Sequence, residues 1–206
     1  MGITRNLKNL TFNSAYKSVK RPKLDLKVLD KLERHFGIKV PDEYVQLLKF
    51  SNGCSFNESS YVPEKLPTGY GMITACWFYG VYEDQKDSNG LWWAIEGYRA
   101  ALGVDRIPIS SDPGGDMICL NVSISPAFVE MWMHEIDEYI FVAKSFEEYV
   151  DGLFEPEDDE DDDDGEIDFE YSFFDGEDDE EEEDGKEAKC RCFFAEDGFT
   201  EDDDDE

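Results

Sequence analysis

The sequence predicts one α+β domain followed by a long acidic tail. Three observations lead there. Residues 24–53 hold two short runs of apolar side chains at helical spacing, residues 106–143 hold short apolar runs parted by turn residues, and the charge balance collapses near residue 155. Helices, then strands, then a closing helix is the order of an antiparallel sheet with helices packed on one face.

The first helix is read from LDLKVLDKLERHF at 24–36, where Leu29, Leu32 and Phe36 recur at helical spacing beside Val28. Asp25 suits the N-cap, and Gly37 suits a left-handed stop. A second helix follows a tight link at 38–40. Pro41 fits its first position, Asp42 and Glu43 favour the positive end of the helix dipole, and Tyr44, Val45, Leu47 and Leu48 form its buried stripe. Ser51, Asn52 and Gly53 end it.

Residues 54–70 read as loop, punctuated by Pro63 and Pro67. Residues 71–82 are dense in apolar groups and predict at least one strand. Residues 89–102 predict a helix carrying Trp92, Trp93, Ile95 and Tyr98, weakened by Gly97. Strands at 106–110 and 116–122 flank the turn Ser111-Asp112-Pro113-Gly114-Gly115 and predict a hairpin. Further strands follow at 129–134 and 139–143, with a turn over 135–138. Ser145, three residues before Glu148, opens a last helix through Phe146, Tyr149 and Val150 to Gly152.

Charge divides the chain. Its 206 residues have a formal charge of -32, from 51 acidic and 19 basic side chains. Residues 151–206 contain 31 carboxylates and three basic residues, a net of -28, which leaves -4 for residues 1–150. All four Trp residues lie in that nearly balanced part. Residues 1–23 have six basic residues and no acid, and read as a basic arm. Such a tail repels itself and phosphates alike, which excludes direct nucleic-acid binding and favours a basic protein partner. Its acid blocks alternate with aromatic patches, including Phe173, Phe174, Phe193 and Phe194.

Enzyme readings find little support in the residue pattern. The two histidines, His35 and His134, lack an ordered triad partner in the sequence. Cys190-x-Cys192 is the closest cysteine pair, and a zinc site needs about four ligands. The odd count of five cysteines at irregular spacing suits a reducing compartment. The acid runs lack the alternating ligands of a calcium loop. The segment 112–116 has no Lys for a phosphate loop. No catalytic residue, metal or cofactor is expected. Neither a membrane span nor a secretory signal is expected.

The segment LERHFGIKVPDEYVQLLKFSNGC at 32–54 resembles the opening of the SMI1/KNR4 family, also called the SUKH superfamily. Phe36, Gly37, Pro41, Glu43, Tyr44, Leu47, Leu48, Asn52 and Gly53 carry the likeness. IPISSDPGGDMICLNVS at 107–123 resembles the family's central hairpin, through Gly115, Asp116 and Ile118 to Leu120. SFEEYVDGLF at 145–154 resembles its last helix. The resemblance spans about residues 24–154 and implies an α+β fold with an antiparallel or mixed sheet and packed helices. It also implies a protein-binding function without a shared catalytic apparatus. Many bacterial members neutralise toxin domains, often nucleases. Others occur in fungi as regulators and in large DNA viruses. The acidic tail is outside the usual pattern.

The expected organisation is a basic arm at 1–23, the domain at 24–154 and the tail at 155–206. The expected function is an immunity-type protein that binds and neutralises a toxin, a basic nuclease, in the cytoplasm. The alternative is a viral or eukaryotic structural or regulatory protein, virion-associated in the viral case, whose tail binds basic partners. Candidate partner-binding residues are Tyr61, Tyr82, Trp92 and Trp93, as exposed aromatics near acids, together with Phe173, Phe174, Phe193 and Phe194 in the tail.

Overall fold

A computed structural model describes residue 3 and residues 7–16, 22–66 and 71–156. The chain divides into two units, Met1–Asp158 and Asp159–Glu206. Phe173, Phe174, Phe193, Phe194 and the Cys190-x-Cys192 pair all lie outside the described residues.

Helix α1 spans Leu26–Phe36, with Leu29 and Leu32 buried. Asp25 caps it by accepting the Lys27 N–H at 2.8 Å, and Gly37 ends it at φ 65°, a conformation that costs a residue with a Cβ. Helix α2 spans Asp42–Phe50. Pro41 sits one place earlier than expected, at the N-cap, because its ψ of 141° is extended rather than helical. Tyr44, Val45, Leu47 and Leu48 are all buried, as their spacing predicts. The Tyr44 ring packs edge-on against Phe146 at 5.2 Å, and its hydroxyl donates to the Tyr79 carbonyl at 2.7 Å. Burial without a charged partner pushes that hydroxyl's pKa well up.

The Asn52-Gly53 stop is a tertiary lock as well as a helix end. The Asn52 side chain donates to the Val81 carbonyl at 2.8 Å and accepts the Val81 N–H at 2.7 Å. Gly53, at φ 83°, lies under the Tyr82 hydroxyl, which donates to the Asn52 carbonyl at 3.2 Å. A Cβ on Gly53 or Gly80 would collide with Tyr82.

Two antiparallel sheets follow. Strands β1 (Ser60–Tyr61) and β2 (Ile73–Thr74) form a small pair. Strands β3 (Arg106–Ser111), β4 (Met117–Asn121), β5 (Phe128–Met133) and β6 (Glu138–Ala143) form a four-stranded meander in sequence order. No parallel pair occurs among these named strands, which narrows the expected antiparallel or mixed sheet to the antiparallel form. Most of the strand expected over 71–82 is instead irregular. Phe78 bridges Cys54, Gly80 bridges Gly90, and the Cys76 and Tyr79 N–H groups donate to Ser111 and Ile109 on the outer edge of β3. The segment thus changes neighbours every few residues, and no ladder can extend.

Helix α3 (Leu91–Leu102) crosses the sheet face that carries Arg106, Asn121, Glu130, Trp132 and Tyr139. Gly97 does not break it, since a Cβ there would meet only open space. Arg106 reaches from β3 to the Leu102 carbonyl, pairs with the buried Glu130 carboxylate, and lies 3.8 Å over the Tyr139 ring. Asn121 donates to the same carboxylate at 3.1 Å, so this buried charge is both paired and hydrogen-bonded.

Helix α4 (Phe146–Asp151) buries Phe146, Tyr149 and Val150. Ser145 Oγ accepts the Glu148 N–H at 3.1 Å, while the Glu148 carboxylate accepts from Lys144 rather than from Ser145, a one-residue variant of the capping box. Phe154 then exchanges two backbone hydrogen bonds with Ser60. That pairing extends the ordered domain to the residue at which the family resemblance ends.

The N-terminal segment is not simply solvated. Over residues 7–16, Phe12 stacks on Phe56 at 5.3 Å and Phe50 at 5.9 Å, Asn13 N–H donates to Ser55, and Asn57 N–H donates to Thr11. Leu10 is buried in the core.

Candidate partner-binding surface

The four aromatic candidates of the domain part into two kinds. Tyr82 and Trp92, expected to be exposed, are only 9% and 6% exposed. Tyr82 is held by the Asn52-Gly53 lock. Trp92 lies between the His35 ring at 4.7 Å and the Phe36 ring at 5.2 Å, where α3 meets the end of α1. Arg99 on α3 completes that junction by donating to the Phe36 carbonyl at 3.1 Å. Packing therefore accounts for both residues. His35 is used as a flat ring against Trp92, and it is Arg99 that satisfies a carbonyl at the end of α1.

Trp93 and Tyr61 are half-buried. Trp93 starts a chain of rings across the sheet: Tyr98 at 6.3 Å, then Trp132 at 6.2 Å from Tyr98, then His134 at 6.4 Å from Trp132. That chain ends among acids. His134 places both its backbone N–H, at 2.9 Å, and its ring Nδ1, at 2.7 Å, on Asp116 Oδ1. The Trp132 indole N–H donates to Asp137 at 2.8 Å. Asp112, Asp116, His134, Glu135 and Ile136 line a shallow cavity of about 240 Å³ between the two hairpin turns. Burial holds the Asp112 carboxyl above its ordinary range, against the pull of N–H groups from Asp116, Gly114 and Gly115.

The Asp116–His134 contact is structural at its root. Asp112 Oδ1 accepts the Asp116 N–H at 2.8 Å, and Asp112 N–H returns a bond to the Asp116 carbonyl, so the β3–β4 turn holds Asp116 where β5 ends. No group of three or more His, Cys, Asp or Glu is placed to hold a metal ion among the described residues. The sequence pairs His134 with Glu135 and Asp137 by proximity alone. Its actual partner lies 18 residues away, and only the β4–β5 register brings it there.

Tyr61 lies on β1, against helix α4. Its ring is 5.2 Å from buried Tyr149, and burial, then Glu148 and Glu64, raise its pKa. Val62, Phe141 and Phe154 are exposed apolar side chains. Phe141 was not a sequence candidate. Its signal was faint: it alternates with Ile140 and Val142 in the apolar run Tyr139–Ala143. Among the described residues, no helix is long and apolar enough to cross a membrane.

Residues 23–152 match the SMI1 / KNR4 family (SUKH-1). The chain belongs to that family. The match runs from before α1 to the end of α4, so the Asn52-Gly53 lock, the meander and the acid-lined hairpin ends are parts of a SUKH domain. The chain is also similar to the SPbeta prophage-derived uncharacterized protein YokK of Bacillus subtilis strain 168. The two are 32% identical over 154 residues, which is 66% of this chain and 79% of that relative. The family is known for immunity-type proteins, which typically bind protein partners such as toxins.

Proposed function

We propose that this protein neutralises a toxin by direct binding, and that the toxin is a basic protein, a nuclease in the simplest case. The observation that carries the reading is the joining of a SUKH domain to a strongly acidic chain. The family supplies protein binding, and the charge selects a basic partner. A nuclease surface built to grip phosphates meets a similar field in the carboxylate runs. No bond is made or broken; inhibition follows from occupancy. The half-buried Trp93 and Tyr61, the latter near Glu148 and Glu64, supply the aromatic side chains that interfaces favour. The prophage origin of the Bacillus relative supports a toxin-and-antidote setting. Within this reading the protein acts in the cytoplasm, where such a nuclease does its damage.

Co-expression with toxin domains encoded beside the gene tests this reading. Growth should be rescued, and the purified pair should show inhibited nuclease activity at equal stoichiometry. Binding without inhibition, or no binding to any such toxin, overturns it.

The second reading is a regulatory or structural interaction protein, virion-associated in the viral case, whose tail recruits basic partners. The specific observation in its favour is that the acidic tail lies beyond the family match, which ends at residue 152. Rescue that survives deletion of the SUKH domain, with the tail alone binding the partner, would favour it.

A further inference from the structure

Residues 7–16 precede the family match, which begins at residue 23, yet they occupy a defined place on the domain. Residues 54–57 offer two backbone sides. On one side, Cys54 exchanges hydrogen bonds with Phe78 at 3.2 and 2.7 Å. On the other, the Asn13 N–H donates to the Ser55 carbonyl at 3.0 Å, and the Asn57 N–H donates to the Thr11 carbonyl at 2.8 Å. Phe12 bridges Phe56 between these bonds, in antiparallel sense. Glu58 accepts the Thr11 N–H at 2.8 Å. The N-terminal segment is thus seated on the domain as a short added strand.

Its rings sit in an aromatic groove. Phe12 stacks on Phe50 and on Phe56, whose own rings are 6.5 Å apart, and Tyr16 packs on Trp77 at 5.3 Å. Phe56 and Trp77 are buried in this arrangement. The segment itself is shallow. Leu10 is the one buried residue among residues 7–16, and Lys8, Asn9, Thr11, Ser14 and Ala15 are exposed. Main-chain hydrogen bonds read no side chain, so this edge takes any extended segment whose rings fit the groove.

We propose that the outer edge of residues 54–57 and its aromatic groove are a docking site for a segment of a protein partner, and that residues 7–16 are a built-in competitor which the partner displaces. The seated segment defines the chemistry of the partner. It is extended around one aromatic side chain, which stacks on Phe50 and Phe56, and it carries a second aromatic four residues later for Trp77. Its main chain replaces Asn13 and Thr11 on Ser55 and Asn57. The tether gives the chain's own segment a high effective concentration. A partner that also grips the domain elsewhere overcomes it, and a loose peptide does so only in excess. The proposal rests on the reading of this chain as a protein that neutralises another by binding, and it names the surface used.

The test uses isotope-labelled full-length protein, an unlabelled peptide with the sequence of residues 7–16, and amide hydrogen exchange followed by NMR. In the wild type, the Asn13 and Asn57 amides should exchange about a hundredfold faster than amides of the β4–β5 ladder, because the segment opens without unfolding the domain. Exchange at the rate of that ladder makes the segment part of the core and overturns the proposal. Excess peptide should speed exchange at Asn13 and slow it at Asn57, as one segment leaves and the other takes its place. No change at either amide overturns it too. Full-length F12S/Y16S should bind the peptide about tenfold more tightly than the wild type, because its competitor is weakened. Equal affinity places the peptide elsewhere and overturns the proposal; if the variant fails to fold, the wild-type exchange rates decide. A mass of two chains that F12S/Y16S returns to one assigns the groove to a second copy and overturns the partner. The two readings fail separately. A toxin bound no more tightly by F12S/Y16S than by the wild type removes this surface and leaves neutralisation standing. Exchange of the peptide into the groove, with no toxin inhibited, removes neutralisation and leaves the surface.

Discussion

Gly53 shows how one residue can serve a helix stop and a tertiary contact at once. Its φ of 83° disfavours any side chain, and a Cβ would meet the Tyr82 hydroxyl. Gly53→Ala should therefore lower stability by about 2–4 kcal/mol, measured by chemical denaturation. Asp112 offers a pH test. Burial raises its folded-state pKa, so the folded protein retains a proton that the unfolded chain has already lost. Stability linked to this group is present at low pH and declines as pH rises from the ordinary carboxylate range, near pH 4, through the folded value. Asp112→Asn keeps an acceptor for the Asp116 N–H and removes the titration. The wild type should lose more stability than the variant between about pH 4 and pH 7. The half-buried aromatics show the limit of single-residue reading. Trp92 and Trp93 are adjacent and chemically identical, yet one is core and the other is surface, because successive helix positions point about 100° apart.

At the scale of elements, both early helices were legible because their caps and stripes are local. Asp25, Gly37, Pro41 and Gly53 all act within a few residues of the helix that they start or stop. Leu48→Ala should cost about 2–5 kcal/mol, since Leu48 is fully buried in the core cluster. A change below about 0.5 kcal/mol in a denaturant titration would show that the site relaxes around the loss. The segment 71–82 was not legible in the same way. Its apolar density reads as a strand, but its hydrogen bonds go in turn to Ser59, Ser111, Cys54 and Ile109, which are scattered along the chain. The N-terminal segment is the opposite case: composition reads it as a basic arm, while Leu10 and Phe12 tie part of it to the core. A fragment of residues 24–156 should still unfold cooperatively, and restoring residues 1–23 should add about 1.5–3 kcal/mol from burial at Phe12 and Leu10. A non-cooperative melt of the shorter fragment would make the N-terminal segment part of the folding nucleus.

At the scale of the whole molecule, two physical regimes are joined in one chain. In the proposed function the domain binds by packing, which acts at contact. In the same proposal the tail acts through charge, at distances set by the Debye length, about 8 Å at physiological salt. Association with a basic partner should therefore slow when the chain is cut after Pro156, and the difference should fade as salt rises. Dissociation should change mainly when a domain contact is removed. Stopped-flow kinetics at low and high salt separate the two. Equal association rates for full-length and truncated protein at low salt would remove the steering role. A version with Phe173, Phe174, Phe193 and Phe194 replaced by Ser that loses all binding would point instead to a short recognition segment in the tail.

The sequence by itself determined the α+β class, the helices and their caps, the hairpin at 107–123, the charge break near 155 and the family. Each of these rests on local periodicity, turn chemistry or composition, which survive in one dimension. Tertiary structure alone decided which aromatics are buried, which acid holds His134, and which segment covers the outer edge of β3. Those outcomes depend on register and on what else packs against a residue. His134, just past the end of β5, meets Asp116 because of a pairing fixed 18 residues away, and the outer edge of β3 is covered because the Cys76 and Tyr79 N–H groups, distant in sequence, donate to it.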